Sequence, residues 1–573
     1  MSTLISPGVA TIENDQSQVT SGPIQAGAAI VGPTVKGRVN IPKLVTTYSQ
    51  YAADFGDTFT SGSDVYSFLT SIAAKNYFDN GGTSLIVTRV QTGSFSSATS
   101  SLIETGSGGP TTGLSPFVLE TIGEGTIMNS TSPENSKGAL DSGSVDNIRW
   151  EISNPNTSSG VFSLIIRRGN DTTKKKSIVE NFTNLSLDSK ASNYIAKVIG
   201  DQTVNVRGTG TDVYLQPTGS YPNASRYIRV KSVNYKTPDY LDNSGVAKDA
   251  YTGSIPIAGS GSFGDAGGNI IPAGAKFYEE ISNTNIQGLT GPNYTDAFNL
   301  LANKDEFKYN IISAPGLMYA NAAHATELDT LISNVETRGD AIIPLDLTGY
   351  GATITATVTE ADSLDTSYAA SYWPWVQVSD PGSSQLVWIP PSTLIPGVYA
   401  NNDRYGEPWF APAGMTRGGL LGVIQAERKL TQPNRDDLYT GKVNPLATFP
   451  GRGVVVFGQK TLQQQSTALD RVNVRRLLIE LKSYISQVAD NLVFEQNTNA
   501  LRNSFLSTVN PYLSIIQQRQ GLYAFKVVMD ETNNTADVID RNELVGGIYL
   551  QPTKTAEFIY LNFNILPTGV SFD

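Results

Sequence analysis

Residues 435–462 read RDDLYTGKVNPLATFPGRGVVVFGQKTL, and residues 470–482 read DRVNVRRLLIELK. The apolar run Val454–Phe457 predicts a strand, and the glycines on either side of it predict turns. The second segment begins a long amphipathic helix, because apolar residues recur at spacings of three and four: Val474, Leu477, Leu481, Ile485, Val488 and Leu492. This stretch is therefore interpreted as strand, turn and helix, a rigid scaffold for the chain around it.

The composition indicates a globular protein with several domains. A chain of 573 residues is too long for one hydrophobic core, and its 53 glycines and 29 prolines predict many turns. The net charge of -11 argues against a nucleic-acid binder, which normally needs a basic face. The sequence contains no cysteine, which excludes disulfides and thiolate metal sites. The first residues lack the basic and apolar regions of a signal peptide, so none is expected.

Residues 1–22 are predicted to form an extended N-terminal arm. Pro7 and Gly8 break local structure, while Val9 and Ile12 favour β-structure. An isolated terminal strand is unstable unless it joins a sheet. The arm is therefore either a frayed tail or a strand donated to a neighbouring subunit.

Residues 23–95 are predicted to form the first part of an α/β core. The apolar run Ile24–Val31 predicts a strand, and helical spacing predicts a helix over Asp64–Tyr77 with Asp64 as its cap. Leu85–Val90 predicts a second strand. Strands flanking a helix are typical of an α/β unit.

From residue 96 to 294 the sequence is rich in Ser, Thr, Gly and Asn, and helical periodicity nearly vanishes. Short runs such as Phe162–Arg167 predict β-structure inserted into the core. We expect an outer β domain over residues 96–179 and a second β-rich domain over residues 180–300.

Residues 301–505 are predicted to form the second part of the core. A buried strand that feeds a loop, within Tyr309–Gly316, is followed by a helix over His324–Val335 and a strand over Asp340–Asp346. Strands that alternate with helices predict a partly parallel sheet covered on both faces. The predicted fold class is a multidomain α+β or α/β protein, with a mixed core, inserted β-rich domains and extended arms at both ends.

Residues 506–573 are predicted to form a C-terminal domain that ends in strands after Pro511. In the last strand, apolar side chains share one face: Ile559, Leu561, Phe563 and Ile565. An open edge on so apolar a strand favours aggregation, so another strand is expected to pair with it.

Candidate catalytic groups are few. The one histidine, His324, makes any histidine-based triad depend on a single residue at a helix start, where a structural role is favoured. No phosphate-binding loop of the G-x-x-x-x-G-K-[ST] type and no G-x-S-x-G elbow is present. We therefore expect no catalytic residue, no metal site and no cofactor, and a protein that is not an enzyme.

Three further motifs are predicted to be structural. Gly259, Gly261 and Gly264 spell G-x-G-x-x-G, but no helix follows, so a flexible loop is predicted. Asp436-Asp437 is a carboxylate pair for which a cap or turn role is favoured. Arg338-Gly339-Asp340 resembles an adhesion tripeptide, and chance is the better explanation.

Residues 435–462 and 470–482 resemble contractile phage tail sheath proteins. Other sequence segments show the same resemblance: SPGV (6–9), YFDNGGTSLIVTRV (77–90), ENFTNLSLDSKASNYIAKVIG (180–200), DETNNT (530–535), PTKTAEFIYLNF (552–563) and PTGVSF (567–572). The resemblance covers residues 1–95, 180–200 and 300–573. The inserted region apart from 180–200 matches no motif of the family.

The resemblance implies a structural subunit that polymerises, in hexameric rings, as a helical sleeve around a tail tube on a baseplate below a terminator protein. The sleeve would contract and drive the tube through the host envelope. It implies assembly in the host cytoplasm, a final location in the virion, and no contact with nucleic acid or insertion into membrane. The alternatives are the sheath of a pyocin-like or other contractile injection system and, less favoured, a hydrolase built on the central domain.

The resemblance also implies two sets of candidate residues. The first set would pair with neighbouring subunits through the terminal arms: Pro7, Gly8, Val9, Ile12, Ile559, Leu561, Phe563 and Ile565. The second set would shape the scaffold: Asp437, Leu438, Tyr439, Asn444, Pro445, Gly451, Gly453, Gly458, Arg471, Asn473, Arg475 and Arg476. Within it, Arg471 and Arg475 lie off the apolar stripe of the long helix and, with Lys482, are predicted to face solvent. Contact with an acidic partner is the less favoured alternative.

Overall fold

A computed structural model describes residues 24–61, 64–106, 113–131, 134–270, 278–289, 294–380 and 382–560. Seven of the predicted arm residues lie outside the described residues: Pro7, Gly8, Val9, Ile12, Leu561, Phe563 and Ile565. In the described part of the chain, no helix is long and apolar enough to cross a membrane.

The N-terminal part of the core contains six strands and two helices: β1 (Ile24–Gln25), β2 (Ala28–Gly32), β3 (Lys43–Val45), α1 (Tyr48–Phe55), β4 (Thr58–Ser61), β5 (Asp64–Ser67), α2 (Leu69–Asp79) and β6 (Leu85–Arg89). The predicted start of the helix at Asp64 is wrong, because β5 pairs with β4 as a hairpin. The Phe59 ring stacks on Tyr66 and Phe68, at centroid distances of 5.6 and 5.0 Å, which holds the hairpin against the core.

The inserted region contains nine strands and two short helices: β7 (Ser97–Ser100), β8 (Phe117–Glu124), β9 (Ile148–Asn156), β10 (Val161–Arg168), β11 (Ile178–Ser186), α3 (Ile195–Ile199), β12 (Thr203–Arg207), β13 (Tyr214–Thr218), β14 (Ile228–Val233), α4 (Asp249–Thr252) and β15 (Gly259–Gly264). Seven of these strands form one sheet in the order β11-β10-β9-β15-β7-β8-β14. The predicted division between residues 179 and 180 falls inside β11, so it does not separate two domains.

The seven-stranded sheet curls around its own apolar core. The rings of Phe117 on β8 and Phe162 on β10 stack at 5.4 Å although these strands are not neighbours. At the two edges, the Glu180 carboxylate on β11 accepts hydrogen bonds from the Ser225 hydroxyl (2.5 Å) and the Arg226 N–H (2.9 Å), just before β14. Helix α3 packs into the same core, so the inserted region forms a partly closed barrel.

The predicted loop at Gly259, Gly261 and Gly264 is instead strand β15, which lies between β9 and β7. A Cβ on Gly261 would lie 2.4 Å from the indole of Trp150. Gly261 therefore lets the backbone approach a buried aromatic ring closely, a role that is independent of any phosphate.

The second part of the core contains nine strands and seven helices: α5 (Thr295–Leu301), β16 (Phe307–Lys308), β17 (Ile311–Ser313), α6 (Ala322–Arg338), β18 (Ile343–Leu345), α7 (Ile354–Asp362), β19 (Ala369–Trp373), β20 (Val376–Ser379), β21 (Leu386–Ile389), α8 (Ile395–Tyr405), α9 (Gly414–Arg417), β22 (Val423–Ala426), α10 (Gln432–Thr440), β23 (Val443–Phe449), β24 (Gly453–Val456) and α11 (Val472–Asp490). Short 3-10 helices cover Thr126–Met128, Gly210–Asp212, Pro391–Thr393 and Ala468–Asp470.

Both parts of the core share one central β layer. Its first half has the order β3-β6-β2-β17 and its second half β18-β19-β23-β24; the outer strands β3 and β24 are antiparallel and the others parallel. Main-chain hydrogen bonds of 3.0 Å join the halves, from Ile312 N–H to the Ile342 carbonyl and from Ile342 N–H to the Asn310 carbonyl. The predicted partly parallel sheet is confirmed, and the protein is a multidomain α+β fold.

The C-terminal part contains α12 (Asn499–Gln518), β25 (Leu522–Val528), α13 (Ala536–Asp540) and β26 (Gly547–Pro552). The expectation of strands after Pro511 is wrong at its start, because Pro511 lies inside α12. The predicted boundaries at 300/301 and 505/506 fall inside α5 and α12. Helix α12 packs on α11 around a separate apolar cluster. This packing offsets the loss of the hydrogen bond that the proline cannot make.

Most of the predicted terminal strand, from Leu561 onward, lies outside the described residues. Residues 553–560 have no regular secondary structure, and Ile559 is exposed. Helix α11 ends at Asp490, so Leu492, the last member of the predicted stripe, lies beyond it.

Candidate functional site

Residues 553–557 leave β26 and return to the central part of the protein, where the Glu557 side chain is bound. Its carboxylate accepts hydrogen bonds from Arg471 Nε (2.8 Å), Tyr439 Oη (2.6 Å) and Gln459 Nε2 (2.9 Å). The Gln459 amide also donates to Thr555 Oγ1 at 2.6 Å. We call these five residues the C-terminal anchor.

Three separate elements place the donors of the anchor. Tyr439 lies in the last turn of α10, whose start is fixed by a capping box between Thr431 and Asn434. Arg471 is the residue before α11, and Gln459 follows β24. A hydrogen bond of 2.8 Å from Val472 N–H to the Gln459 carbonyl fixes these two segments side by side.

The anchor favours an ionised Glu557. Burial alone would raise the pKa of Glu557, but the hydrogen bonds from Arg471, Tyr439 and Gln459 and the charge of Arg471 bring the pKa below its ordinary value. Burial, together with the hydrogen bond to Glu557, raises the pKa of Tyr439 well above its ordinary value, so the tyrosine stays a donor. Arg471 also pairs with Asp470 at 3.0 Å.

Asn444, Pro445 and the three predicted glycines build the hairpin behind the anchor. The buried Asn444 amide donates to the carbonyls of Ser371 (3.0 Å) and Lys460 (2.8 Å) and accepts from Lys460 N–H at 2.6 Å. A Cβ on Gly458 would lie 2.9 Å from Asn444 Oδ1. Gly451 and Gly453 have φ values of 73° and 72°, which the turn between β23 and β24 requires.

The prediction for Asp436-Asp437 is wrong, because both residues lie within α10 rather than at a cap or turn. Leu438 is buried beneath them and Asp437 is exposed. Of the predicted scaffold residues, the structure brings Tyr439 and Arg471 together at the anchor. Sequence reasoning missed Glu557, Gln459 and Thr555, since no periodicity links residues nearly one hundred positions apart.

The arginines of α11 are tied to the core, and the prediction that Arg475 faces solvent is wrong. The Arg475 guanidinium lies 4.0 Å from the Tyr368 ring centroid, and its Nε donates to the Ser367 carbonyl at 3.2 Å. Arg476 pairs with Asp403 at 2.6 Å. A long side chain off an apolar stripe can thus cover aromatic surface instead of extending into water.

The remaining predicted helix residues differ in exposure. Arg471 is partly buried at the anchor, whereas Lys482 is exposed as predicted. Asn473 is buried, and its amide lies 3.4 Å from the Trp409 carbonyl. Helix α11 therefore joins the central β layer to the C-terminal helices.

An apolar groove of about 380 Å³ lies beside the anchor. Its apolar walls are Ala411, Ala413, Pro445 and Phe457, and its polar rim includes Arg435. Residues 555–558 form the side from which the C-terminal segment continues.

Strands β25 and β26 form an antiparallel two-stranded sheet in the C-terminal part. Phe525 and Leu550 pack one face against the helices, while Tyr523 and Tyr549, 61% and 65% exposed, lie on the other. In the part of the chain that the structure describes, no third strand pairs with either edge. Such a sheet can accept additional strands on both sides.

His324 is placed structurally. Its Nδ1 accepts from Met318 N–H and its Nε2 donates to the Ser282 carbonyl, both at 3.0 Å. Burial lowers its pKa, which keeps the ring neutral. Arg338 and Asp340 form a bidentate ion pair of 2.9 Å across Gly339, the left-handed residue that ends α6, so this tripeptide is a helix terminus.

Two family models match the sequence: "Phage tail sheath protein central domain" over residues 287–462 and "Phage tail sheath C-terminal domain" over residues 464–566. The sequence is 33% identical to a tail sheath protein of Vibrio phage KVP40 over 377 residues, 65% of this chain and 53% of that protein. It is 39% identical to a tail sheath protein of Enterobacteria phage T4 over 186 residues, 32% of this chain and 28% of that protein.

The crystal structure of a sheath tail protein from Listeria innocua aligns with a TM-score of 0.50 at 10% identity, over 92% of this chain and 95% of that one. This similarity concerns the fold. The chain spans about half or less of the length of the two phage relatives.

Proposed function

Because the chain belongs to the phage tail sheath family, we propose that it is the structural subunit of a contractile phage tail sheath. Copies of the chain polymerise as a helical sleeve, in hexameric rings, around a tail tube. The sleeve contracts and drives the tube through the host cell envelope. Identical head-to-tail contacts that do not close into a ring generate such a helix.

The open sheet of β25 and β26 is the single observation that best supports this proposal. Both of its edges are free in the described chain, and two terminal segments are available to fill them: residues 1–22 and the segment that begins at Ile559. Each added main-chain hydrogen bond contributes only about 0.5–1.5 kcal/mol net, but several per strand form a durable connection. We propose that each subunit donates both segments to neighbouring copies of this sheet.

The proposed partners are the tail tube, the baseplate and a terminator protein, together with further copies of the chain. The assembled sheath belongs to the virion and forms in the host cytoplasm. The proposal involves no nucleic acid, no membrane insertion, no cofactor and no catalytic step. The engagement of both His324 ring nitrogens by main-chain groups is consistent with a structural role.

Deletion of residues 1–20 tests the donation of the N-terminal arm. We expect a subunit that unfolds at the same temperature as the full chain but forms no sleeves, because the arm contributes to neighbours and not to its own core. Circular dichroism measures the first property and electron microscopy the second.

A matched pair of variants refines this test. Val9→Asp with Ile12→Asp keeps the length of the arm but removes its apolar face, and it should also prevent sleeve formation. Asn14→Ala in the same arm should assemble normally. Normal sleeves from the truncated chain would refute arm donation.

A further inference from the structure

The groove beside the C-terminal anchor is an apolar surface at the point where the C-terminal segment continues. Phe457 in its wall is 41% exposed. Phe558, which borders the groove, is 68% exposed, and the next residue, Ile559, is 75% exposed. Adjacent exposed apolar side chains of this kind usually mark a surface that something else covers.

We propose that in the free subunit this groove binds the apolar side chains of the chain's own C-terminal segment, Leu561 and Phe563 first, and that assembly releases the segment. The free subunit then keeps this segment covered until a neighbour offers the edge of its open sheet. The release step rests on the proposed function, whereas binding in the groove does not.

The anchor favours the chain's own C-terminal segment over other ligands of the groove. Glu557 is held at the groove, and Phe563 follows it by six residues, a reach of at most about 20 Å for extended chain. A segment tethered so close has an effective concentration in the millimolar range, far above that of any free partner. The volume of about 380 Å³ lies within the range of clefts that bury small apolar ligands.

The chemistry of the segment fits the walls of the groove. Residues 561–566 read LNFNIL, with apolar side chains at alternate positions and at the end. Ala411, Ala413 and Pro445 offer small apolar surfaces and Phe457 an aromatic ring. The Arg435 guanidinium, 5.7 Å from the Phe457 ring centroid, forms a polar rim that keeps the site accessible to water on one side.

Binding in the groove and pairing with a neighbour exclude each other. The same apolar side chains would cover the groove in one state and extend along a neighbour's sheet in the other. The groove therefore slows the first contacts between free subunits and leaves the final sleeve unaffected. This arrangement is a population shift between two binding sites for one segment.

Disulfide trapping in the full chain tests the proposal directly, because the sequence contains no cysteine. Ala413→Cys places a thiol in the groove, and Asn562→Cys places one between Leu561 and Phe563 without removing either. Under mild oxidation of dilute subunit, we expect an intrachain disulfide, seen as a faster band at monomer mass on a non-reducing gel.

The control pair is Thr440→Cys with Asn562→Cys. Thr440 is exposed and follows the anchor residue Tyr439, but it does not line the groove. The groove pair should form its disulfide about tenfold faster, equivalent to about 1.4 kcal/mol of preference. Adding Phe563→Ser, a change within the C-terminal segment, should remove that difference.

Two results would overturn the proposal: equal rates for the groove pair and the control pair, or a disulfide that forms only between chains. The oxidised groove pair should also fail to assemble into sleeves and recover on reduction. If no variant assembles while the intrachain disulfide still forms preferentially, the proposed function fails and binding in the groove stands. Assembly of the oxidised subunit at the normal rate would refute the release step.

Discussion

At the scale of the residue, Glu557 decides where the C-terminal segment leaves the protein. Three donors from three elements converge on its carboxylate, at 2.6–2.9 Å. Glu557→Gln keeps the shape but removes the charge, so we expect the anchor to weaken by about 1 kcal/mol, allowing for its partial exposure. Hydrogen exchange at residues 553–557 should rise about fivefold. Glu543→Gln, at an exposed surface pair, should change nothing there.

The same carboxylate predicts a pH dependence. The folded pKa of Glu557 is lowered, so its contribution is complete above the ordinary glutamate pKa and is lost as pH falls through the folded value. The protection of the amides of residues 553–557, measured relative to the intrinsic exchange rate at each pH, should therefore be constant near neutral pH and fall only below about pH 4. In the Glu557→Gln variant this acid-dependent loss of protection should be absent. Loosening of the segment as pH rises would contradict the assignment.

Gly261 shows how one missing Cβ fixes the inserted barrel. Gly261→Ala would place a Cβ 2.4 Å from the Trp150 indole, and we expect a loss of about 1–3 kcal/mol from overpacking. Gly259→Ala in the same strand meets nothing within 4 Å and serves as the control. Urea unfolding followed by tryptophan fluorescence measures both. Equal stability of the two variants would show that Trp150 can move away from the added Cβ with no loss in the free energy of unfolding.

At the scale of the element, helix α11 links the core to the C-terminal helices through buried arginines. Arg476→Met leaves Asp403 without its partner, and we expect a loss of about 3 kcal/mol in the free energy of unfolding. Arg541→Met, in an exposed pair, should change stability by less than about 0.5 kcal/mol. Chemical denaturation compares the two. A small effect at Arg476 would mean that packing of the methionine replaces the ion pair.

Elements with strong local periodicity could be predicted from the sequence, and those fixed by distant contacts could not. The spacing from Val474 to Val488 identified α11, and the apolar run at Val454 identified β24. Pro511 argued against a helix in the prediction. The helix forms because α12 packs on α11, which local propensity does not take into account. Gly259–Gly264 indicated a loop because glycine spacing carries no information about Trp150.

The same distinction between local pattern and distant contact applies to the candidate site. The sequence segments around Tyr439 and Arg471 identified these two residues, but their common partner Glu557 lies 118 and 86 positions away. Nothing local distinguishes Glu557 from other glutamates on the surface. Only the fold brings the three residues together, so the anchor could not be predicted from the sequence.

At the scale of the whole molecule, the inserted barrel and the two parts of the core are tied into one body. The buried Arg89 on β6 donates to the carbonyls of Gly37 (2.6 Å) and of Glu124 on β8 (2.9 Å). Lys36 pairs with Asp146 at 3.4 Å, and the β12–β13 hairpin packs Val206 and Leu215 against the core. Movement of the core should therefore carry the barrel with it.

This coupling bears on the energy source of the proposed contraction. Rigid bodies connected by donated strands can rotate and slide while those strands stay paired. If the extended sleeve is kinetically trapped and the contracted sleeve buries more surface between subunits, the energy is stored in the lattice at assembly. We therefore predict that contraction needs neither ATP nor a metal ion.

Extended sleeves on tubes, purified in EDTA without nucleotide, should contract on warming or in mild denaturant, which help the lattice cross its barrier. Electron microscopy should give the same contracted length with and without added ATP and magnesium, since the final state depends only on contacts between subunits. The oxidised Ala413→Cys, Asn562→Cys subunit, added to finished sleeves, should leave contraction unchanged because it cannot join the lattice. A strict requirement for nucleotide or metal would refute storage in the lattice and place the energy source outside the sheath.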